Sequence, residues 1–362
     1  LAAEVAGSGA FSVPIDGSAP PVWLGVGVLE PIGLRISGDG RRVLLDGIVA
    51  GQHRLLTVPM DGSAPAQVFP GWSATAIQFR ISQDSTRVVY RATQVVGAER
   101  LLDLYSAPLD ASAAPVRLNP ALVTGGNVGT FMLTSDGTRV AYLADQELNG
   151  RNELYSAPVD GSAPAVKLSA PIVTGEPRPD ANYWWMLMAG SRVIFPATAF
   201  GGGGLAFSVP SDGSAPPVQI GAFHRGVSMV LTTAGSRFVF GDTVGNAMTL
   251  FSTPVDGSAP PVQLNLPLPP NGTVWNAVVD ARGENVLYLA DQETAGEREL
   301  YWVPADGSRP PRKVNPTLPA GSNVSQFSFT RDGQRALYLA DPHIVGTPEL
   351  FLGFLAPAHR AR

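Results

Sequence analysis

The chain contains no cysteine, so neither a disulfide framework nor thiolate chemistry is open to it. Charge is sparse as well: only 15% of the 362 residues are Asp, Glu, Lys or Arg, and the net charge is −5. No run of Lys or Arg offers the electrostatic footprint that nucleic acid requires. The arginines of 35–54 (Arg35, Arg41, Arg42 and Arg54) are too dispersed to form a basic stripe. No stretch approaches the roughly 18 uninterrupted apolar residues of a transmembrane helix. The opening LAAEVAGSG has neither the charged nor the apolar region of a signal peptide and no initiator Met, which points to a processed or trimmed product. Familiar catalytic signatures are missing too. There is no Gly-x-Ser-x-Gly elbow, no His-Glu-x-x-His and no Gly-rich phosphate loop followed by Lys-Ser/Thr.

What the chain has in quantity is glycine (40) and proline (33), together with 44% hydrophobic residues. Both turn formers recur at fixed places. The phrase LYSAPVDGSAPAVKLSAP at 154–171 has counterparts at 104–120 and 250–267, and its aspartate recurs as Asp16, Asp61, Asp110, Asp160, Asp212, Asp256 and Asp306, spaced 44 to 52 residues apart. A second phrase lies between copies: LRISGDGRRVLL (34–45), FRISQDSTRVVY (79–90), FMLTSDGTRVAY (131–142) and FSFTRDGQRALY (327–338), with looser versions at 184–195, 229–240 and 277–288. A period of 40–50 residues holding several strands is the mark of propeller blades.

Each unit reads as two hairpins. Strand A turns through Ser/Thr-x-Asp-Gly into strand B; strand C, Leu-Tyr-Ser, turns through Pro-x-Asp-Gly-Ser into strand D. Proline cannot donate to a ladder, so the pairs at 20–21, 216–217, 260–261 and 310–311 belong on an outermost strand, which they guard against edge-to-edge pairing. One strand-B column is aromatic or large throughout: Leu45, Tyr90, Tyr142, Phe195, Phe240, Tyr288 and Tyr338. Two strand-A columns, beginning at Leu34 and Ile36, are apolar and predict burial between neighbouring blades.

The pairing TSDGTRVAYLAD…ELYSAPVDGS (134–162) resembles the WD40-like PD40 repeat of TolB-type propellers, over roughly 11–355, although the Pro of that family's Ser-Pro-Asp-Gly is lacking in every copy. The resemblance implies an all-β, single β-propeller domain of seven four-stranded blades. The N-terminal half-blade is 10–24, blades follow at 33–69, 78–119, 130–169, 183–220, 228–265 and 276–314, and a closing blade joins 326–355 with 10–24. Pairing of N- and C-terminal strands closes the ring. Eight C-like strands against seven A–B hairpins leave one C strand surplus.

In such blades the A–B and C–D turns share one face, and the longer B–C and D–A connections share the other. Variable loops over a rigid frame are where binding residues gather, so a site is expected at 91–103, 119–130, 144–153, 169–183, 196–205, 265–275, 315–325 or 341–349. Asp145, Glu147 and Glu153, with their counterparts Asp291, Glu293 and Glu299, are hard oxygens that suit calcium; no other cofactor is implied. They serve equally to accept backbone N–H groups and fix the loop. Tyr183 and Trp185 could stack on a sugar or peptide, and Arg35 and Arg80, in one strand-A column, could hold an anion. The leading Arg of strand B recurs in six units, which marks it as structural, bonding a turn carboxylate such as Asp136. His53 and His343 are placed in B–C loops and His224 in a D–A loop; with His359 they belong to different units.

The expectation is a non-catalytic scaffold, more an interaction module than an enzyme. It engages a protein or peptide through the loop face, without nucleic acid or a transmembrane segment, in the periplasm or outside the cell. A metal-assisted lactonase or lyase and a carbohydrate-binding propeller are the alternatives.

Overall fold

Alternating apolar residues between Asp-Gly turns leave the chain little choice but antiparallel meanders, and the computed structural model shows them. It describes residues 8–28, 31–49, 51–69, 78–96, 99–169, 186–198, 203–224, 229–231, 236–245, 247–343 and 345–355. Among these there is no helix. Two compact units divide the chain, one of residues 1–169 and 211–214, the other of residues 170–210 and 215–362.

The first unit opens with a two-stranded sheet, Ser8–Ser12 with Val22–Val28. Three four-stranded meanders follow. Sheet I is Pro31–Ile36, Arg42–Val49, Gln52–Pro59 and Gln67–Val68; sheet II is Phe79–Ile81, Arg87–Val96, Glu99–Pro108 and Val116–Arg117; sheet III is Val128–Leu133, Arg139–Ala144, Glu153–Pro158 and Val166–Lys167. The second unit holds sheet IV (Leu187–Ala189, Arg192–Thr198, Gly203–Pro210, Val218–His224) and sheet V (Met229–Leu231, Arg237–Val244, Ala247–Pro254, Val262–Gln263). Sheet VI (Val274–Val279, Asn285–Ala290, Glu299–Pro304, Arg312–Lys313) follows, then the three-stranded sheet VII (Val324–Phe329, Arg335–Ala340, Glu349–Phe354).

The repeated phrase is the third strand, the turn and the fourth strand. In all seven copies the aspartate Oδ1 accepts the N–H of the serine two residues on, at 2.9–3.0 Å. The residue between them has positive φ, which glycine supplies everywhere except Ala111. The aromatic column of the second strand meets the Tyr or Phe of the third as stacked cross-strand pairs. Tyr142–Tyr155 has its centroids 5.6 Å apart and Tyr288–Tyr301 5.4 Å.

The leading arginine latches the second strand to a buried hydroxyl of the third: Arg42 to Thr57, Arg87 to Ser106, Arg139 to Ser156, Arg192 to Ser208 and Arg237 to Ser252, at 2.7–3.2 Å. Arg139 also reaches Ser211 O, and Arg192 reaches Val255 O. The hydroxyl is the partner, where the sequence suggested a turn carboxylate; Asp136 is taken by Thr134 and Thr138.

Two further expectations need correction. The described residues of 91–103 and 196–205 are strand, since RVVYRATQVV and ERLLDLYSAP pair from Arg87↔Pro108 to Val96↔Glu99, and Pro196, Ala197 and Thr198 pair with Ala206, Leu205 and Gly204. Leu34 and Ile36 are 49% and 53% exposed, because the N-terminal sheet packs Leu24 on Val43, Leu45, Leu56 and Val58 and leaves the first strand of sheet I uncovered.

Candidate functional site

Sheet I carries a charged residue in the middle of an apolar strand. Asp46 sits in Arg42–Val49, buried at 3% exposure, where the matching positions of sheets III, VI and VII hold Leu143, Leu289 and Leu339. Beyond Val49, which pairs with Gln52, the chain returns with His53 opposite Ile48; Gly51 takes φ +75°. Directly opposed residues share a face of the sheet and alternate along each strand. Asp46, Ile48 and His53 therefore lie on one face, and His53 Nδ1 comes within 3.9 Å of Asp46 Oδ1. Both atoms are buried and have no hydrogen-bond partner. Burial pushes the Asp46 carboxyl above its ordinary range, and the attraction of His53 offsets only part of that.

Gly33 is paired with Asp46 and leaves its position without a side chain; a Cβ there would lie 3.8 Å from both Asp46 and Phe79. Arg35, two residues along and opposite Leu44, shares that face. Its Nη1 donates to Leu34 O at 2.9 Å, and Arg80 Nη1 likewise donates to Phe79 O at 3.1 Å. Both side chains are exposed on first strands of adjacent sheets. The arrangement is a histidine backed by a buried carboxylate, with an exposed guanidinium on the same face. It can pass a proton and hold an anion.

Tyr183 and Trp185 lie outside the described residues, as does His359. His53 is in a strand, not in a loop as expected, and His343 is exposed in a turn.

The six carboxylates considered for calcium all have internal partners. Asp145 accepts the N–H groups of Asn127 and Gly150, and Asp291 those of Thr273 and Gly296. Lys167 Nζ sits between Glu147 (2.8 Å) and Glu153 (2.7 Å), and Lys313 Nζ between Glu293 (2.7 Å) and Glu299 (2.9 Å). The hydroxyls of Tyr155 and Tyr301 donate to Glu153 and Glu299. The bond from Lys167 holds the Glu147 carboxyl below its ordinary value. Among the described residues no three His, Asp or Glu side chains gather where a metal could sit.

Sequence reasoning missed Asp46, the two clamped lysines, the half-buried Arg91 and the buried Asp103. Arg91 gives Nη1 to Val128 O and Gly129 O, while its Nε is buried without a partner; Asp103 Oδ2 is likewise unpartnered. A signal for Asp46 and Arg91 was present: each is a charge in a strand-B column that is apolar in other sheets.

No protein family matches the chain, and no curated protein matches it in sequence. Solved structures do. Dipeptidyl peptidase 4 of Porphyromonas gingivalis superposes with a TM-score of 0.59 at 13% identity, covering 87% of this chain and 49% of the peptidase. The chain thus spans about half the length of that enzyme. An oligogalacturonate lyase in complex with manganese covers 96% of both chains at 14% identity and a TM-score of 0.42. TolB from Acinetobacter baumannii covers 68% of this chain and 56% of its own, at 12% identity and a TM-score of 0.35.

At these identities the likeness is one of fold. The expectation of a non-catalytic scaffold, with its leaning against an enzyme, needs correction: an enzyme, the dipeptidyl peptidase, has this fold over about half its length, so the fold is no mark of a passive frame. The chain is an all-β protein with the β-propeller fold.

Proposed function

We propose that the chain is an enzyme of the lyase type, in which His53 moves a proton on a carboxylate-bearing substrate. The observation that carries this is the His53–Asp46 pair, two buried and unsatisfied atoms 3.9 Å apart. A proton on Nδ1 directed at Asp46 leaves the Nε2 lone pair free to act as base, the usual division of labour when a carboxylate orients an imidazole. Asp46 is then a positioning residue. The contact is longer than a hydrogen bond, and contacts of this kind tighten when substrate arrives.

The step is a β-elimination. His53 Nε2 takes the proton from the carbon next to the substrate carboxylate. Those electrons form a carbon–carbon double bond as the bond to the β-oxygen breaks, and the imidazolium returns its proton to the departing oxygen. Arg35 would hold the carboxylate and offset the charge that develops on it.

The test uses the purified chain with oligomers of uronic acids and, in parallel, a set of simple lactones. Production of the conjugated double bond is followed by ultraviolet absorbance. The expected result is elimination activity that falls about 10²–10⁴-fold in kcat for His53→Gln, with Arg35→Gln raising KM. No activity on uronates in the wild type, or wild-type rates in His53→Gln, would overturn the reading.

A further inference from the structure

One sheet breaks the arginine latch at both of its positions together. Sheets I to V pair the leading arginine with Thr57, Ser106, Ser156, Ser208 or Ser252. In sheet VI the arginine position is Asn285 and the hydroxyl position is Trp302. The amide of Asn285 turns back to Asp280 Oδ2 at 2.6 Å, and Asp280 also accepts the N–H groups of Arg282 and Glu284. The turn is therefore held from within.

A cavity of about 710 Å³ opens there, between the turn end of sheet VI and the A–B turn of sheet VII. Small-molecule sites fall in the range of roughly 300–1,000 Å³. Its walls include the half-buried indole of Trp302, the amides of Asn285 and Gln334, the guanidiniums of Arg309 and Arg312, and the Asp332 carboxylate. The Arg312 guanidinium lies 5.7 Å from the indole centroid and is fixed by bonds from Nη2 to Phe354 O and Leu355 O. The cavity lies within the second unit, whereas His53 and Asp46 belong to the first.

We propose that this cavity is a saccharide-binding site, independent of the His53 site and specific for neutral oligosaccharides. A sugar offers an apolar ring face suited to an indole and a rim of hydroxyls that both donate and accept. The walls match that rim, since amides do both, guanidiniums donate and the carboxylate accepts. An anion would want donors alone, and Asp332 disfavours it.

The intact chain is titrated with maltotriose, cellotriose, xylotriose and mannotriose, and in parallel with a trigalacturonate and a proline-rich peptide, by calorimetry and tryptophan fluorescence. One or more neutral trisaccharides should bind, with affinity falling at least tenfold in Trp302→Ala. The double variant Asn285→Arg/Trp302→Ser reinstates the pair that five other sheets use, so it should fold, fill the cavity and abolish binding. It should leave activity at His53 untouched, and His53→Gln should leave saccharide binding untouched. The proposal is overturned if none of the neutral sugars binds, if only the trigalacturonate or the peptide binds at this cavity, or if the double variant binds as the wild type does.

Discussion

Asp46 does two things that pull in opposite directions. Its carboxylate orients His53, yet burial costs its charged form free energy and raises its pKa. A raised folded pKa means that stability from this group is present below the unfolded value of 3.8 and is lost as pH rises through the folded value. Asp46→Asn removes the charge and keeps the shape. It should therefore raise the melting temperature at pH 7, and the difference from wild type should shrink as pH falls through the raised folded value towards 3.8. Activity should move the other way: kcat falls, and the pH–rate profile loses the contribution of the carboxylate because the asparagine no longer selects the Nδ1–H tautomer. A variant that is less stable at pH 7, or one whose pH–rate profile is unchanged, would remove Asp46 from the role given to it.

At the scale of the sheet, what was legible is what is local. Turn chemistry and alternation lie within a dozen residues, so the Asp-Gly turns, the aromatic column and the proline-guarded edges could all be read directly. The strand-B ends could not. Residues 91–103 read as a loop because Gln94, Arg100 and Asp103 interrupt the apolar pattern, and only the register with the partner strand shows that they pair. The pairing of Asp46 with His53 depends in the same way on the register Val49↔Gln52. The clamped lysines were legible in principle: Lys167 and Lys313 stand on the fourth strand of the two sheets that carry LADQE. Each clamp joins the third strand to the fourth through a glutamate almost without solvent; the Glu153 side chain is 3% exposed. Lys167→Met leaves that charge with only Tyr155 and the half-exposed Arg151. Urea unfolding should show a loss of about 2–3 kcal/mol, below the roughly 3–5 kcal/mol for a fully buried pair because the Lys167 side chain is 29% exposed. Glu147→Gln, on the exposed side of the same lysine, should cost under about 1 kcal/mol. Equal losses in the two variants would show that burial does not decide the clamp.

For the molecule as a whole, repetition multiplies small electrostatic effects until they set the pH range of the fold. Eleven turn aspartates, from Asp16 to Asp332, have carboxyls held below the ordinary 3.8, and in every case the largest cause is a hydrogen bond from a Ser or Thr side chain or backbone. A depressed folded pKa contributes stability above the unfolded value that is lost as pH falls through the folded one. The opposite limit comes from the aromatic columns. Burial raises the phenols of Tyr90, Tyr105, Tyr142, Tyr155, Tyr288, Tyr301 and Tyr338 above 10.0. Stability from these groups is present below 10 and is lost as pH rises through their folded values. The melting temperature should accordingly be nearly flat from about pH 5 to 9 and fall at both ends. Salt distinguishes the causes at the acid end. Screening weakens attraction between exposed charges but leaves a hydrogen bond from a serine hydroxyl or amide in place. The acid limb should therefore lie at the same pH in about 0.05 and 0.5 M sodium chloride, concentrations that span Debye lengths on either side of 10 Å. A limb that moves to higher pH with added salt would show that the arginines, and not the turn serines and threonines, hold these carboxylates.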